Sequence, residues 1–131
     1  MERTGAKASI RVLLADDDER YLESLRMLVE EQPELSVVAQ AANGLDAIEA
    51  ADAVALDAAV IDLHMPLVDG VTAVARLRRD HPSLCVIAIT GDREPRLLHA
   101  AEEAGADAVL LKEELVETLV ERLRAAKSKL D

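Results

Sequence analysis

Five short apolar runs, each followed by a stretch with helix-spaced apolar residues, constrain this chain more than any other feature. Ile10–Ala15, Val37–Ala41, Ala58–Asp62, Leu84–Thr90 and Ala108–Leu111 read as strands. Glu19–Glu31 reads as a helix with Leu22, Leu25, Leu28 and Val29 on one face, ended by Pro33. Asn43-Gly44 signals a turn into a helix over Leu45–Ala55. Val71, Val74 and Leu77 space a third helix that stops near Pro82. Pro95 opens a fourth, carrying Leu97, Leu98 and Ala101 and closing at Gly105. Leu115, Val116, Leu119, Val120 and Leu123 give a fifth its buried stripe. Strands this continuously apolar are buried on both faces, which implies a parallel sheet covered by helices. Strict alternation of strand and helix implies the same α/β class, with right-handed crossovers.

The 131 residues fit one domain. We expect a flexible N-terminus over 1–9, a folded unit over 10–126 and a frayed C-terminal tail over 127–131. With one Tyr, no Phe and no Trp, the core must be aliphatic. The formal net charge of −11 opposes binding to nucleic acid or to anionic lipid, since both require a basic face. Met1 to Ser9 lack an apolar leader segment, and no run reaches the length of a membrane span. The expected setting is cytoplasmic, with no direct nucleic-acid or membrane contact. Cys85, inside an apolar run, reads as a small buried hydrophobe.

In open parallel sheets, ligands bind at the carboxyl ends of the strands. The first strand here ends in Asp16-Asp17-Asp18, the third in Asp62, the fourth in Thr90 and the fifth in Lys112. Asp18 is assigned to capping the first helix. If the four strands are neighbours, acids, a hydroxyl and an ammonium converge on one cavity. Two carboxylates ~5 Å apart repel by about 3 kcal/mol at an effective dielectric near 20. Clustered acids therefore require a cation or shifted pKa values. Oxygen-only ligands suit Mg²⁺. A carboxylate nucleophile, a metal, an ammonium and a hydroxyl together make a phosphoryl-transfer site.

In order and spacing, these segments resemble the receiver domain of two-component response regulators, over roughly Ile10 to Leu123. The segments are Val12-Leu13-Leu14-Ala15-Asp16-Asp17, Ala41-Ala42-Asn43-Gly44, the loop from Asp62 through Met65-Pro66 to Asp69-Gly70, Ile89-Thr90-Gly91, and Gly105 through Lys112. In motif style the chain is similar to receivers that precede a helix-turn-helix domain. The resemblance implies a flavodoxin-like sheet in the order 2-1-3-4-5 flanked by five helices. It implies that Asp62 accepts a phosphoryl group from a sensor histidine kinase, a phosphotransfer protein or a small donor such as acetyl phosphate. It makes Asp17 and Asp62 direct Mg²⁺ ligands, with Asp16 acting through water and the main-chain carbonyl of His64 completing the set. Thr90 and Lys112 would hold the phosphoryl oxygens. The domain would be a phosphoacceptor switch that assists its own phosphorylation and dephosphorylation, rather than an enzyme. Its fourth helix, fifth strand and fifth helix would meet an output partner or a second copy.

The chain departs from the family pattern at Val109, where an aromatic residue usually stands three positions before the lysine. Glu113 replaces the common proline after the lysine. His64 and Asp92, each two residues past a site residue, are expected to border the site. His81 and His99 have no partners at ligand spacing and are expected on the surface. Two other readings compete: a haloacid-dehalogenase-type phosphatase with Asp16 as nucleophile and Asp18 as acid/base, and a receiver-like interaction module that takes no phosphate.

Overall fold

The computed structural model describes residues 9–130, except for the side chains of 116–117 and 127–130. The elements are β1 (Ile10–Ala15), α1 (Glu19–Glu30), β2 (Leu35–Ala41), α2 (Gly44–Ala53), β3 (Ala58–Asp62), α3 (Gly70–Asp80), β4 (Cys85–Thr90), α4 (Pro95–Ala104), β5 (Ala108–Leu111), a 3₁₀ turn (Lys112–Glu114) and α5 (Leu115–Leu130). Five parallel strands form one sheet in the order β2-β1-β3-β4-β5. The fold class and strand order agree with the reading of the sequence.

Side chains alternate across the sheet, as the period of two requires. Leu13, Ala15, Ala59, Ile61, Val86 and Ala88 join a core with α2, α3 and α4. Val12, Leu14, Ala58, Val60, Cys85, Ile87 and Ile89 join a second core with α1 and α5. At the strand ends this alternation directs Asp16, Asp62 and Lys112 toward the α1/α5 side. Thr90 and Val109 fall on the α3/α4 side, and Val109 packs against that core.

Some boundaries differ from the expectations. β2 begins at Leu35 rather than Val37, because Leu35 and Ser36 pair with Ile10 and Arg11. β4 begins at Cys85 rather than Leu84. α2 spans Gly44–Ala53, one residue earlier at its start and two at its end. α5 remains helical through Leu130, past the expected domain end at 126. The expectation for 1–9 lies, apart from Ser9, outside the described residues. At the amino edge of the sheet, Arg78 donates to the carbonyls of Pro82 (2.8 Å), Leu84 (2.9 Å) and Gly105 (3.0 Å) and pairs with Asp107 at 2.7 Å. This ties the end of α3 to the turn out of α4, so the carboxyl edge stands on a braced sheet. No described helix is long and apolar enough to cross a membrane.

Candidate functional site

β1 delivers three successive acids, and each takes a different position. Asp18 caps α1, its Oδ1 accepting from the backbone N–H groups of Arg20 (3.0 Å) and Tyr21 (3.3 Å). Asp16 is fully buried, and its Oδ1 accepts from the Asp18 N–H at 2.9 Å. Asp17 is exposed. β3 delivers Asp62, which is 3% exposed. The loop after it turns back sharply. Leu67 adopts φ 68°, and Gly70 approaches so closely that a Cβ there would lie 2.2 Å from the Asp62 carbonyl oxygen. That contact makes glycine necessary at position 70.

β5 delivers Lys112, whose Nζ lies 2.8 Å from Asp16 Oδ2 and 3.5 Å from Asp62 Oδ2. The contact with Asp16 is an ion pair without hydrogen-bond alignment, so that buried oxygen keeps acceptor capacity. Carboxylate oxygens of Asp16, Asp17 and Asp62 lie within 4.8 Å of one another. All-oxygen donors at such spacing, two of them on buried residues, suit a hard divalent cation. Burial and the neighbouring Asp16 charge raise the pKa of Asp62 to about 6, against the opposing pull of Lys112. Burial works to lower the pKa of Lys112, but contacts with both acids outweigh it and hold the ammonium above its ordinary range. The lysine is therefore a fixed positive charge.

Thr90 is fully buried at the end of β4, and its Oγ1 accepts from the Asp92 N–H at 3.0 Å. Asp92 reaches across the cleft to His64, with 3.3 Å between Oδ2 and Nε2. The His64 N–H donates to Asp62 Oδ1 at 3.3 Å. Arg93 pairs with Glu113 at 2.8 Å, joining the loop before α4 to the turn after β5. The cleft has a volume of about 680 Å³, with Asp17, Asp62, His64, Asp92 and Lys112 in its wall. The structure thus brings Asp16, Asp17, Asp62 and Lys112 together and sets Thr90 and His64 at the same edge.

The two remaining histidines each meet one carboxylate. His81 meets Asp52 at 3.0 Å and is only partly exposed, because the turn after α3 packs beside the end of α2. His99 meets Glu103 at 3.3 Å, one helical turn on. The site also includes a residue the strand-end reasoning missed. Lys112 Nζ stands 4.2 Å from the centroid of the Tyr21 ring. Tyr21, Leu25 and Leu28 are spaced i, i+4, i+7, and that periodicity could have placed Tyr21 on the inward face of α1.

A family model for the response regulator receiver domain matches residues 12–124. The nitrate/nitrite response regulator protein NarP of Escherichia coli K12 is 34% identical over 115 residues, covering 88% of this chain and 54% of its own length. A protein-glutamate methylesterase/protein-glutamine glutaminase of Methanospirillum hungatei is 39% identical over 105 residues, 79% of this chain and 30% of its own. The chain spans about half the length of the regulators it matches, and less of the methylesterase. The signal receiver domain of the putative response regulator NarL from Mycobacterium tuberculosis superposes with a TM-score of 0.86 at 29% identity, covering 92% of this chain and 98% of that one.

Proposed function

This chain belongs to the response regulator receiver domain family, and we propose that Asp62 is the carboxylate through which it takes up a phosphoryl group. The observation that carries this is the arrangement of one cation and two buried acids: Lys112 Nζ lies 2.8 Å from Asp16 and 3.5 Å from Asp62. A carboxylate oxygen of Asp62 attacks phosphorus, and the bond from phosphorus to the donor's nitrogen or oxygen breaks. The product is an acyl phosphate on Asp62, and the donor leaves with the electron pair of the broken bond. With a pKa near 6, Asp62 is ionised and nucleophilic at neutral pH. Lys112 neutralises charge on the transferred group, and the Thr90 hydroxyl can donate to one of its oxygens while accepting from Asp92. Mg²⁺ held by Asp17 and Asp62, by Asp16 through water and by the His64 carbonyl would neutralise the phosphoryl oxygens during transfer.

The donor class we assign is a sensor histidine kinase or phosphotransfer protein, with small acyl phosphates as substitutes, in a cytoplasmic setting. The acidic chain itself is assigned to protein partners rather than nucleic acid, and it acts as a switch rather than as a turnover enzyme. Any output activity of a longer regulator would belong to other segments. We take residues 10–126 as the signalling domain, with α5 continuing beyond them. The phosphatase alternative is not favoured, because Asp18 is engaged in capping α1 rather than available as an acid/base. The inert-module alternative is not favoured either, since each position of the site is filled. Intact mass after incubation with acetyl phosphate tests the proposal. One Mg²⁺-dependent phosphoryl adduct on the wild type and none on Asp62→Asn is the expected result. An adduct on Asp62→Asn equal to that of the wild type would overturn it.

A further inference from the structure

Tyr21 is the sole aromatic residue of the chain. It stands in the first turn of α1, positioned by the acidic turn itself. Asp18 N–H donates to Asp16, and Asp18 in turn accepts from Tyr21 N–H. The Lys112 ammonium lies between the two acids and this ring, 4.2 Å from its centroid. At that distance a cation is attracted by the negative face of the ring. Burial and the charges of Asp16 and Asp62 push the phenol up to about 12, so the ring is neutral at neutral pH.

Geometry separates this contact from the position where an aromatic residue would be expected. Val109 and Thr90 fall on the α3/α4 side of the sheet, whereas Lys112, Asp62 and Tyr21 share the α1/α5 side. Beside the ring is a cavity of about 210 Å³, lined by Leu25 and Leu28 of α1, Leu115 of α5 and Lys112. The partly buried ring therefore borders open space on its α1/α5 side.

We propose that Tyr21 is a positioning residue for Lys112, holding the ammonium against its face at rest and losing it to the phosphoryl oxygens once Asp62 is phosphorylated. This rests on the assignment of Asp62 as phosphoacceptor. Its consequence is that the groove between α1 and α5 senses the phosphoryl state directly, by a route that does not need an aromatic residue at 109. The near-ultraviolet circular dichroism of this protein comes from Tyr21 without Trp or Phe. Recorded on the Mg²⁺-loaded full chain with acetyl phosphate, that band should change in proportion to the adduct measured by mass on the same sample. It should stay constant in Asp62→Asn. Tyr21→Leu, which removes a contact made at rest and given up on phosphorylation, should gain the phosphoryl group about two- to fivefold faster, matching the loss of a partly exposed cation–π contact. Tyr21→Phe, which keeps the ring face, should bring the rate back to within about twofold of wild type. A full adduct with an unchanged band would overturn the inference while leaving Asp62 as acceptor. Slowing by Leu, or equal acceleration by Leu and Phe, would also overturn it. Absence of any adduct would overturn the Asp62 assignment and this inference with it.

Discussion

Lys112 pairs with Asp16 at 2.8 Å, closer than its 3.5 Å approach to Asp62. At rest the ammonium is held mainly by Asp16, and Asp62 is left with its raised pKa. Removing the cation by Lys112→Met would leave two buried acids uncompensated. We predict a loss of about 2–3 kcal/mol in urea unfolding without metal, less than for a fully buried pair because Lys112 is partly exposed. Phosphoryl uptake should fall steeply in the same variant. Unchanged stability would show that the acids are neutralised in another way.

The raised pKa of Asp62 gives stability a definite pH dependence. The folded state holds this proton up to about pH 6, whereas the ordinary value is 3.8. Between these values the native chain binds more protons than the unfolded one. Its stability therefore falls as pH rises through that window. Without divalent cation, the difference in unfolding free energy between wild type and Asp62→Asn should be smallest near pH 4 and grow in favour of the variant toward pH 7. A difference constant with pH would contradict the shift.

Metal should reverse the cost of clustering the acids. A cation that binds only the folded chain adds about 2.7 kcal/mol at a hundredfold excess over its Kd. For a chain of this size that raises the melting temperature on the order of 10 °C. Asp17→Asn should melt higher than wild type without Mg²⁺ and respond less to its addition. Thermal melts with and without Mg²⁺ check both expectations.

The loop beyond Asp62 carries one strained backbone position. Leu67 has φ 68° with its side chain 76% exposed, so strain there is not offset by burial. Leu67→Gly should stabilise the protein by about 1 kcal/mol. Gly70→Ala should do the opposite, because its Cβ would meet the backbone of Asp62 and Leu63. Parallel denaturant curves for the two variants would show shifts of opposite sign.

Much of this architecture was legible from local pattern. Leu13 and Leu14 sit in an unbroken apolar run because they face opposite cores, and that burial on both faces identifies a parallel strand. That Asp16, Asp62 and Lys112 would meet at one sheet edge was legible because each ends or directly follows such a run. The start of β2 was less so, since Leu35 and Ser36 are recruited by their partners on β1 rather than by their own pattern.

The finer geometry was not written locally. Nothing near Thr90 indicates that its hydroxyl oxygen accepts from Asp92, or that Asp92 reaches His64 from the next strand. The place of Tyr21 depends on how a residue 91 positions later leans out of β5, although its helical spacing with Leu25 offered a hint. The partner of His81 arises from packing between α2 and the turn after α3, which no short motif encodes.

The most direct test of the central claim is to locate the phosphoryl group by residue. Borohydride reduces an acyl phosphate and leaves homoserine where the phosphorylated aspartate stood, which peptide mass spectrometry can assign. After treatment with Mg²⁺ and acetyl phosphate, the account predicts homoserine at position 62 and aspartate retained at 16 and 17. Homoserine at position 16 with aspartate retained at 62 would contradict it and point instead to the phosphatase chemistry of the first strand.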